Sequence, residues 1–351
     1  MTESGNMQLQ CNSPTFVSLG MVVLDEIRFP SRETLYDVPG GSGLYATLGA
    51  RIIQSQLAST SIGCIILAGY DFPESVVETI GSWGITLQVK WLASKPSTRG
   101  LLQYKDDTFG LKEFQYVAPP LQPWPSDLDT CKLLGAQSFH FLAAPDNLVK
   151  HVTSLSFLRS EHGLRSEPLI VWEPAPLSCN NEQLKSHLHA CSFVDVFSPN
   201  HLELEALVHG KPSSASKFSR EVIQKYAQVF LSAGIGREGR GVVVVVRCGE
   251  HGCLTMTKDE AFWLPPFYEA ISPQIVDTTG AGNAFLGGFT VGLQKINDLR
   301  EAAVLGTVAA SFALEQIGLP QYMAASSTSA ETWNGTRVAS RVVEFKQRLQ
   351  S

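Results

Sequence analysis

Hydrophobic positions along this chain alternate between two periods. Short apolar, β-rich runs at 15–23, 61–67, 138–142, 169–173, 194–198 and 241–247 read as strands buried on both faces. Between them, apolar residues recur at helical spacing over 40–54, 72–83, 147–162, 181–189, 201–208, 218–233, 280–294 and 299–316. Further short strands are expected at 86–91, 253–257 and 261–264, and a terminal amphipathic helix at 337–350 after an Ala/Ser/Thr loop at 324–329. Alternating β and α units predict a parallel sheet covered by helices on both faces. Two β-rich segments, 25–38 and 100–116, break the alternation. They are expected to pair into a small sheet over the C-terminal edge of the main one, where open α/β sheets bind ligands, and to act there as a lid.

Composition narrows the function classes. Apolar residues make up 44% and charged residues 17%, enough for a sizeable core. The net charge is −6 and no Lys/Arg run occurs, which argues against nucleic acid as a partner. The longest aliphatic run, 242–246, is too short to span a membrane, and the polar segment 1–14 lacks the apolar stretch of a signal peptide. Seven scattered cysteines without C-x-x-C read as reduced thiols rather than a metal site, as expected of a cytoplasmic protein. The expected layout is a tail at 1–13, one large unit at 14–320, and a loop with a final helix at 321–351.

The most informative stretch is Asp277-Thr278-Thr279-Gly280-Ala281-Gly282-Asn283-Ala284-Phe285, between a turn and a long helical run. Gly280, Ala281 and Gly282 permit close backbone approach, and their N–H groups form the positive end of a helix. That is an anion cradle for a transferring phosphoryl group. A Gly-rich helix start made for packing is the plainer account. Gly41-Ser42-Gly43-Leu44-Tyr45-Ala46 fits G-x-G-x-x-A, but no central strand precedes it and no acid follows near position 61, so a dinucleotide site is not expected. His187 and His189, two apart, read as ordinary surface residues.

The 277–285 segment resembles the PfkB family signature D-T-x-G-A-G-D-x-F, and other segments match that family in order. Gly20 to Asp25 resembles its first strand, which ends in an Asp that holds sugar hydroxyls. Gly40-Gly41 resembles its substrate-side diglycine, and Gly69-Tyr70-Asp71 its G-x-D turn. Pro199-Asn200-His201-Leu202-Glu203 resembles P-N-x-x-E, and Gly249 to Gly252 its nucleotide-side G-x-x-G turn. The resemblance implies a ribokinase-like α/β fold: a doubly wound, mostly parallel sheet flanked by helices, with a small β-sheet lid. It implies ATP-dependent phosphoryl transfer, with Mg, to a hydroxyl of a sugar or sugar-like alcohol. Carried over position by position, Asp25, Gly40 and Gly41 would face the acceptor. Asn200, Gly249, Gly252 and Thr278 would face the nucleotide, Gly280, Ala281 and Gly282 would form the anion hole, and Glu203 would hold the metal through water. Lid sheets in this family sometimes dimerise, so a homodimer through the lid is one expectation.

Several of these residues carry a second, purely structural reading. Asp25 is either a fixed acceptor for two hydroxyls or a solvated turn residue. Asn200 and Glu203, three apart on one helix face, suit water on a phosphate-bridging magnesium ion, or a helix cap, or both. The main departure is Asn283, which stands where the family's catalytic base is an Asp. An amide is almost without basicity, and loss of a general base costs about 10² to 10⁴ in rate. His251, Asp71 and Glu203 are the replacement bases considered. Tyr45 is a second departure, where ribokinase-like members often carry Asn. The combination is similar to the fungal "maintenance of killer" branch. Two functions follow: a carbohydrate kinase with an unusual base, or a catalytically degenerate kinase fold that binds nucleotide or sugar as a regulator or assembly factor.

Overall fold

A computed structural model describes residues 13–106, 112–210, 218–233, 236–237 and 243–350. The expected tail up to residue 12, and parts of the expected strands at 111 and 241–242, lie outside the described residues. In chain order the first half contains β1 (Phe16–Ser18), β2 (Val23–Arg28), β3 (Leu35–Gly40), α1 (Ser42–Ile53), β4 (Ile62–Gly69), α2 (Glu74–Gly81), β5 (Thr86–Leu92), β6 (Arg99–Tyr104), β7 (Lys112–Tyr116), β8 (Ser138–Ala143) and α3 (Pro145–Glu161). The second half contains β9 (Leu169–Pro174), α4 (Leu184–Cys191), β10 (Val196–Phe197), α5 (His201–His209), α6 (Arg220–Ser232), β11 (Val243–Arg247), β12 (Cys253–Met256) and β13 (Ala261–Leu264). It closes with α7 (Ala281–Ile296), α8 (Leu299–Ala313), the small pair β14 (Tyr322–Met323) and β15 (Thr332–Trp333), and α9 (Val338–Arg348).

The main sheet has nine strands in the order β13-β12-β11-β10-β9-β8-β1-β4-β5. It is parallel from β11 to β5, and β12 and β13 add an antiparallel edge. Helices cover both faces, as the alternation predicts. Along β11, Val245 joins the core under α1, α7 and α8, while Val244 and Val246 join the opposite core under α3 to α6. The two inserts do pair, in a separate four-stranded sheet of order β3-β2-β6-β7. Among the described residues no helix is long and apolar enough to cross a membrane.

Two expectations are corrected. The run 15–23 is not one strand: β1 stops at Ser18, and the chain crosses to the small sheet before β2 begins. The crossing passes against the start of α1, where a Cβ on Gly20 would lie 2.5 Å from Ser42 Oγ and 2.6 Å from the Gly43 nitrogen. Asp25 is therefore inside β2 of the small sheet, not at the end of a main-sheet strand. His187 is fully buried rather than superficial. Its ring stacks on Trp172 at 5.4 Å and its Nδ1 donates to the Gln183 carbonyl at 2.8 Å, so burial leaves that nitrogen satisfied.

α1 and α7 pack backbone to backbone. An added Cβ would lie 1.9 Å from the Ala284 oxygen at Gly49, and 1.8 Å from the Ala46 oxygen at Gly287. Only glycine permits that approach. Gly287→Ala should therefore cost about 1–3 kcal/mol as an overpacking change. Gly81→Ala on α2, whose Cβ would meet only Leu87 Cδ2 at 4.0 Å, should be neutral or stabilising by up to about 1 kcal/mol. Urea unfolding of both variants checks this; a Gly287→Ala protein as stable as wild type would refute the close approach.

Candidate active site

The cradle is built as its sequence requires. Gly280 has φ +78° and precedes α7, which no side chain caps, so the Gly282 and Asn283 N–H groups remain available to an anion. Asp277 sets the loop: its Oδ1 accepts from the Thr279 N–H at 3.0 Å and the Thr279 hydroxyl at 2.7 Å. Thr278 is exposed at the lip of the loop, with its carbonyl toward the Ala281 N–H at 3.4 Å. A Cβ on Gly280 would meet the Tyr45 ring at 2.2 Å, and one on Gly282 would meet Arg247 Nη1 at 2.4 Å. Ala281 opens the helix between these two contacts.

A buried carboxylate, Asp25, lies next to that loop. Asp25 is 5% exposed, and its Oδ1 has no hydrogen-bond partner among the described residues. Glycines flank its carboxylate: a Cβ on Gly40 would lie 2.6 Å from Oδ2, and one on Gly100 2.3 Å from Oδ1. Gly41, with φ +91°, leads into α1, and a Cβ there would lie 2.5 Å from the Met21 carbonyl oxygen. Burial, reinforced by Asp277 and opposed by Lys112, raises the Asp25 pKa to about 7. Asp277 itself is held below its ordinary value: burial opposes ionisation, but Lys112 at 3.1 Å and its hydrogen bonds outweigh it. Those bonds include one from the Tyr104 hydroxyl at 2.8 Å. Lys112 also donates to the Thr279 hydroxyl, tying β7 of the small sheet to the signature loop. Lys112 was not anticipated from the sequence.

The first turn of α7 meets the residue that most changes the picture. Glu173, near the end of β9, is buried and accepts a hydrogen bond from the Asn283 amide. Its other oxygen pairs with Arg247 Nη1 at 2.8 Å, and His140 Nε2 lies 3.4 Å away. Burial works against ionisation of Glu173, yet Arg247 and His140 hold it below the usual carboxylate range. Strand parity explains the meeting. Val171 and Val245 face the α1/α7/α8 core, so Glu173 and Arg247, each two residues further on, project toward α7 as well. A polar residue on that parity at the end of an apolar strand is the signal by which the sequence could have marked them.

Of the replacement bases considered, none has a hydrogen bond to Asn283 among the described residues; the Asn283 amide is held by Glu173. Burial opposes ionisation of Asp71, but the Ser97 N–H and Arg99, each at 2.7 Å, pull it down to about 2, and it serves that pair. His251 stacks on Phe218 at 3.7 Å. Glu203 forms a capping box with Asn200: Asn200 Oδ1 accepts from the Glu203 N–H at 2.9 Å, and Glu203 Oε2 accepts from the Asn200 N–H at 2.8 Å. Burial pushes Glu203 up to about 7 against the opposing effect of Arg247, which lies 3.8 Å away. Gly249 and Gly252 make the tight turn after β11 with φ +55° and +86°. A Cβ on Gly252 would strike the Leu264 carbonyl at 1.9 Å.

Magnesium does not fit this arrangement as it stands. One oxygen of Glu203 is committed to a cap, and the guanidinium of Arg247 sits where a cation between Glu173 and Glu203 would be.

Comparison with known proteins agrees with the geometry. The family model described as pfkB family carbohydrate kinase matches residues 168–322. An uncharacterized protein of Schizosaccharomyces pombe is 30% identical over 350 residues, 96% of this chain and 94% of that one. Protein MAK32 of Saccharomyces cerevisiae is 29% identical over 342 residues, 93% of this chain and 90% of that one. Among solved structures, a putative ribokinase II from E. coli in complex with ATP and Mg+2 superposes with a TM-score of 0.64. It is 17% identical, covering 96% of this chain and 99% of that one. With its signature loop, its two sheets and a full-length relative in agreement, this chain belongs to the PfkB family of carbohydrate kinases.

Proposed function

We propose that this chain, with residues 14–320 as its working unit, transfers a phosphoryl group from ATP to a hydroxyl of a sugar or sugar-like alcohol, and does so slowly. The observation that carries this reading is Asp25: a buried carboxylate with an unpartnered oxygen, held between two glycines beside the signature loop. A buried acceptor without a donor is costly, and the hydroxyls of a bound acceptor supply donors. The nucleotide would lie along the 248–252 turn with its terminal phosphate at the first turn of α7. There the free N–H groups and the helix dipole meet developing negative charge. The Asn283 amide nitrogen is spent on Glu173, so its carbonyl oxygen is the atom left to accept a hydrogen bond from the attacking hydroxyl. That oxygen orients the hydroxyl without taking its proton; as the new O–P bond forms and ADP leaves, the proton passes to the transferred phosphoryl oxygens or to water, and transfer is slow.

A second reading, a nucleotide or sugar sensor without transfer, draws support from Arg247, whose guanidinium rests on Gly282 in the cradle itself.

Asp25 provides a pH test. Its folded pKa of about 7 lies above the ordinary 3.8, so between those values the native state keeps a proton that the unfolded chain has lost. Stability due to this group is fully present below the lower value and lost as pH rises through the upper one, by on the order of 4 kcal/mol. Without acceptor, Asp25→Asn should therefore raise Tm at about pH 8 and change it little near pH 4 to 5. The same variant should lose calorimetric binding of every sugar or polyol that the wild type takes. A lower Tm at the higher pH, or retained acceptor binding, would mean that Asp25 is not the acceptor's hold.

Asn283 provides the kinetic test. Asn283→Asp alone sets a second carboxylate against Glu173, and two such groups do not ionise together freely. The double variant Asn283→Asp/Glu173→Gln keeps one carboxylate and one amide with their places exchanged. Single-turnover transfer should rise by up to about 10² to 10⁴ in the double variant, and by less in the single one. No transfer in wild type or either variant, across a broad acceptor panel, would leave the sensor reading.

A further inference from the structure

The position of Arg247 is unusual for a residue at a phosphate site expected to use a metal. Two buried carboxylates, Glu173 and Glu203, converge on one point at the C-terminal edge of the sheet. Magnesium is commonly held by one or two such carboxylates together with substrate phosphates. Here the charge between them is a guanidinium. Nη1 pairs with Glu173 at 2.8 Å, and Nη2 donates to the Ser198 carbonyl at 2.9 Å while lying 3.8 Å from Glu203. The backbone fixes its root: the Arg247 N–H donates to the Pro199 carbonyl at 3.1 Å, and the residue bridges to Asn200.

Three details show that this group faces the cradle rather than only stitching strands together. A Cβ on Gly282 would lie 2.4 Å from Nη1, so the guanidinium lies directly against the first turn of α7. Its Nε is buried without a partner among the described residues, a donor not yet spent. Its Glu173 partner also receives the Asn283 amide, so guanidinium, carboxylate and signature residue form one unit. A guanidinium offers planar, fixed donors that match phosphate oxygens, and it is always charged.

We propose that Arg247 is a built-in cation for the nucleotide's phosphates, replacing the divalent metal, so that this chain binds nucleotide without magnesium. The inference rests on the kinase-site reading above and deepens it. A magnesium ion at the same point would meet a fixed positive charge and two carboxylates already engaged. A phosphate arriving at α7 meets the Gly282 and Asn283 N–H groups of the helix start and the fixed positive charge of the guanidinium beside Gly282. Glu173 and Glu203 then keep the arginine in place rather than holding a metal.

The test is a calorimetric titration of the full chain with ATP, in EDTA and again in saturating magnesium. Wild-type affinity should agree within about threefold between the two buffers. Arg247→Met alone would strand Glu173 as a buried, unpaired charge and could unfold the protein. The informative variant is therefore Arg247→Met/Glu173→Gln, which removes both charges, with its fold checked by circular dichroism. It should lose at least about tenfold in affinity in EDTA. Arg247→Lys, which keeps the charge but not the fork, should fall between. A wild type whose affinity drops about tenfold or more on removing magnesium overturns the proposal, as does a double variant that binds as tightly in EDTA as wild type. Absence of ATP binding in both buffers is a different result: it removes the nucleotide site itself, and the kinase reading with it.

Discussion

The backbone-to-backbone contact of α1 with α7 is the constraint from which the site follows. At Gly49 and Gly287 no side chain stands between the helices, and each would drive a Cβ into a carbonyl oxygen of the other helix. The two helices therefore lie at a separation set by main-chain atoms, with no rotamer to absorb a shift. Each begins at the C-terminal edge of the main sheet after a glycine of positive φ, Gly41 for α1 and Gly280 for α7, and neither start is capped by a side chain. Tyr45, in the first turn of α1, packs its ring where a Gly280 side chain would be. The two helix starts are thus held by one rigid contact, and their relative placement is a packing property.

On that frame sit two carboxylate pairs, each pushed apart in acidity by its surroundings. In the first, burial raises Asp25 while Lys112 and hydrogen bonds keep Asp277 ionised. In the second, burial raises Glu203 while Arg247 and His140 keep Glu173 ionised. Such splitting is a mark of functional sites, because it leaves one group able to change state and one fixed. The two cations come from different layers, Lys112 from the small sheet and Arg247 from the main one. The contact of β7 with the signature loop therefore depends on the charge on Asp277. Buried ion pairs are weak evidence of stability, since desolvation offsets attraction. Their retention at this edge fits a role in holding geometry for a ligand.

Much of this was legible along the chain. Strand and helix periods, the two inserts forming a separate sheet, and glycines at positive φ in the signature loop and the 249–252 turn all followed from local pattern. The Asn200–Glu203 pair was readable as a capping box, and it is one. Local reading failed where one apolar run served two sheets, as at residues 15–23. It failed again at His187, where a polar ring is buried against Trp172. Apolar runs look alike whether they stay in one sheet or cross to another, and a satisfied buried histidine has no sequence mark.

What the sequence determined by itself is the set of parts: a doubly wound sheet with a small separate sheet, a glycine-rich helix start at 280–282, and an amide at position 283 where a carboxylate is expected. Those parts depend on neighbours within a few residues, through apolar period, glycine φ and helix-end chemistry. Which carboxylate meets Asn283 was decided only in three dimensions. Glu173 stands 110 residues away, and it reaches α7 because β9 lies mid-sheet and Glu173 shares the strand parity of Val171. The same parity brings Arg247 to that carboxylate from β11. Charge pairing between distant strands depends on sheet order and side-chain direction together, and neither is written in any local stretch of the chain.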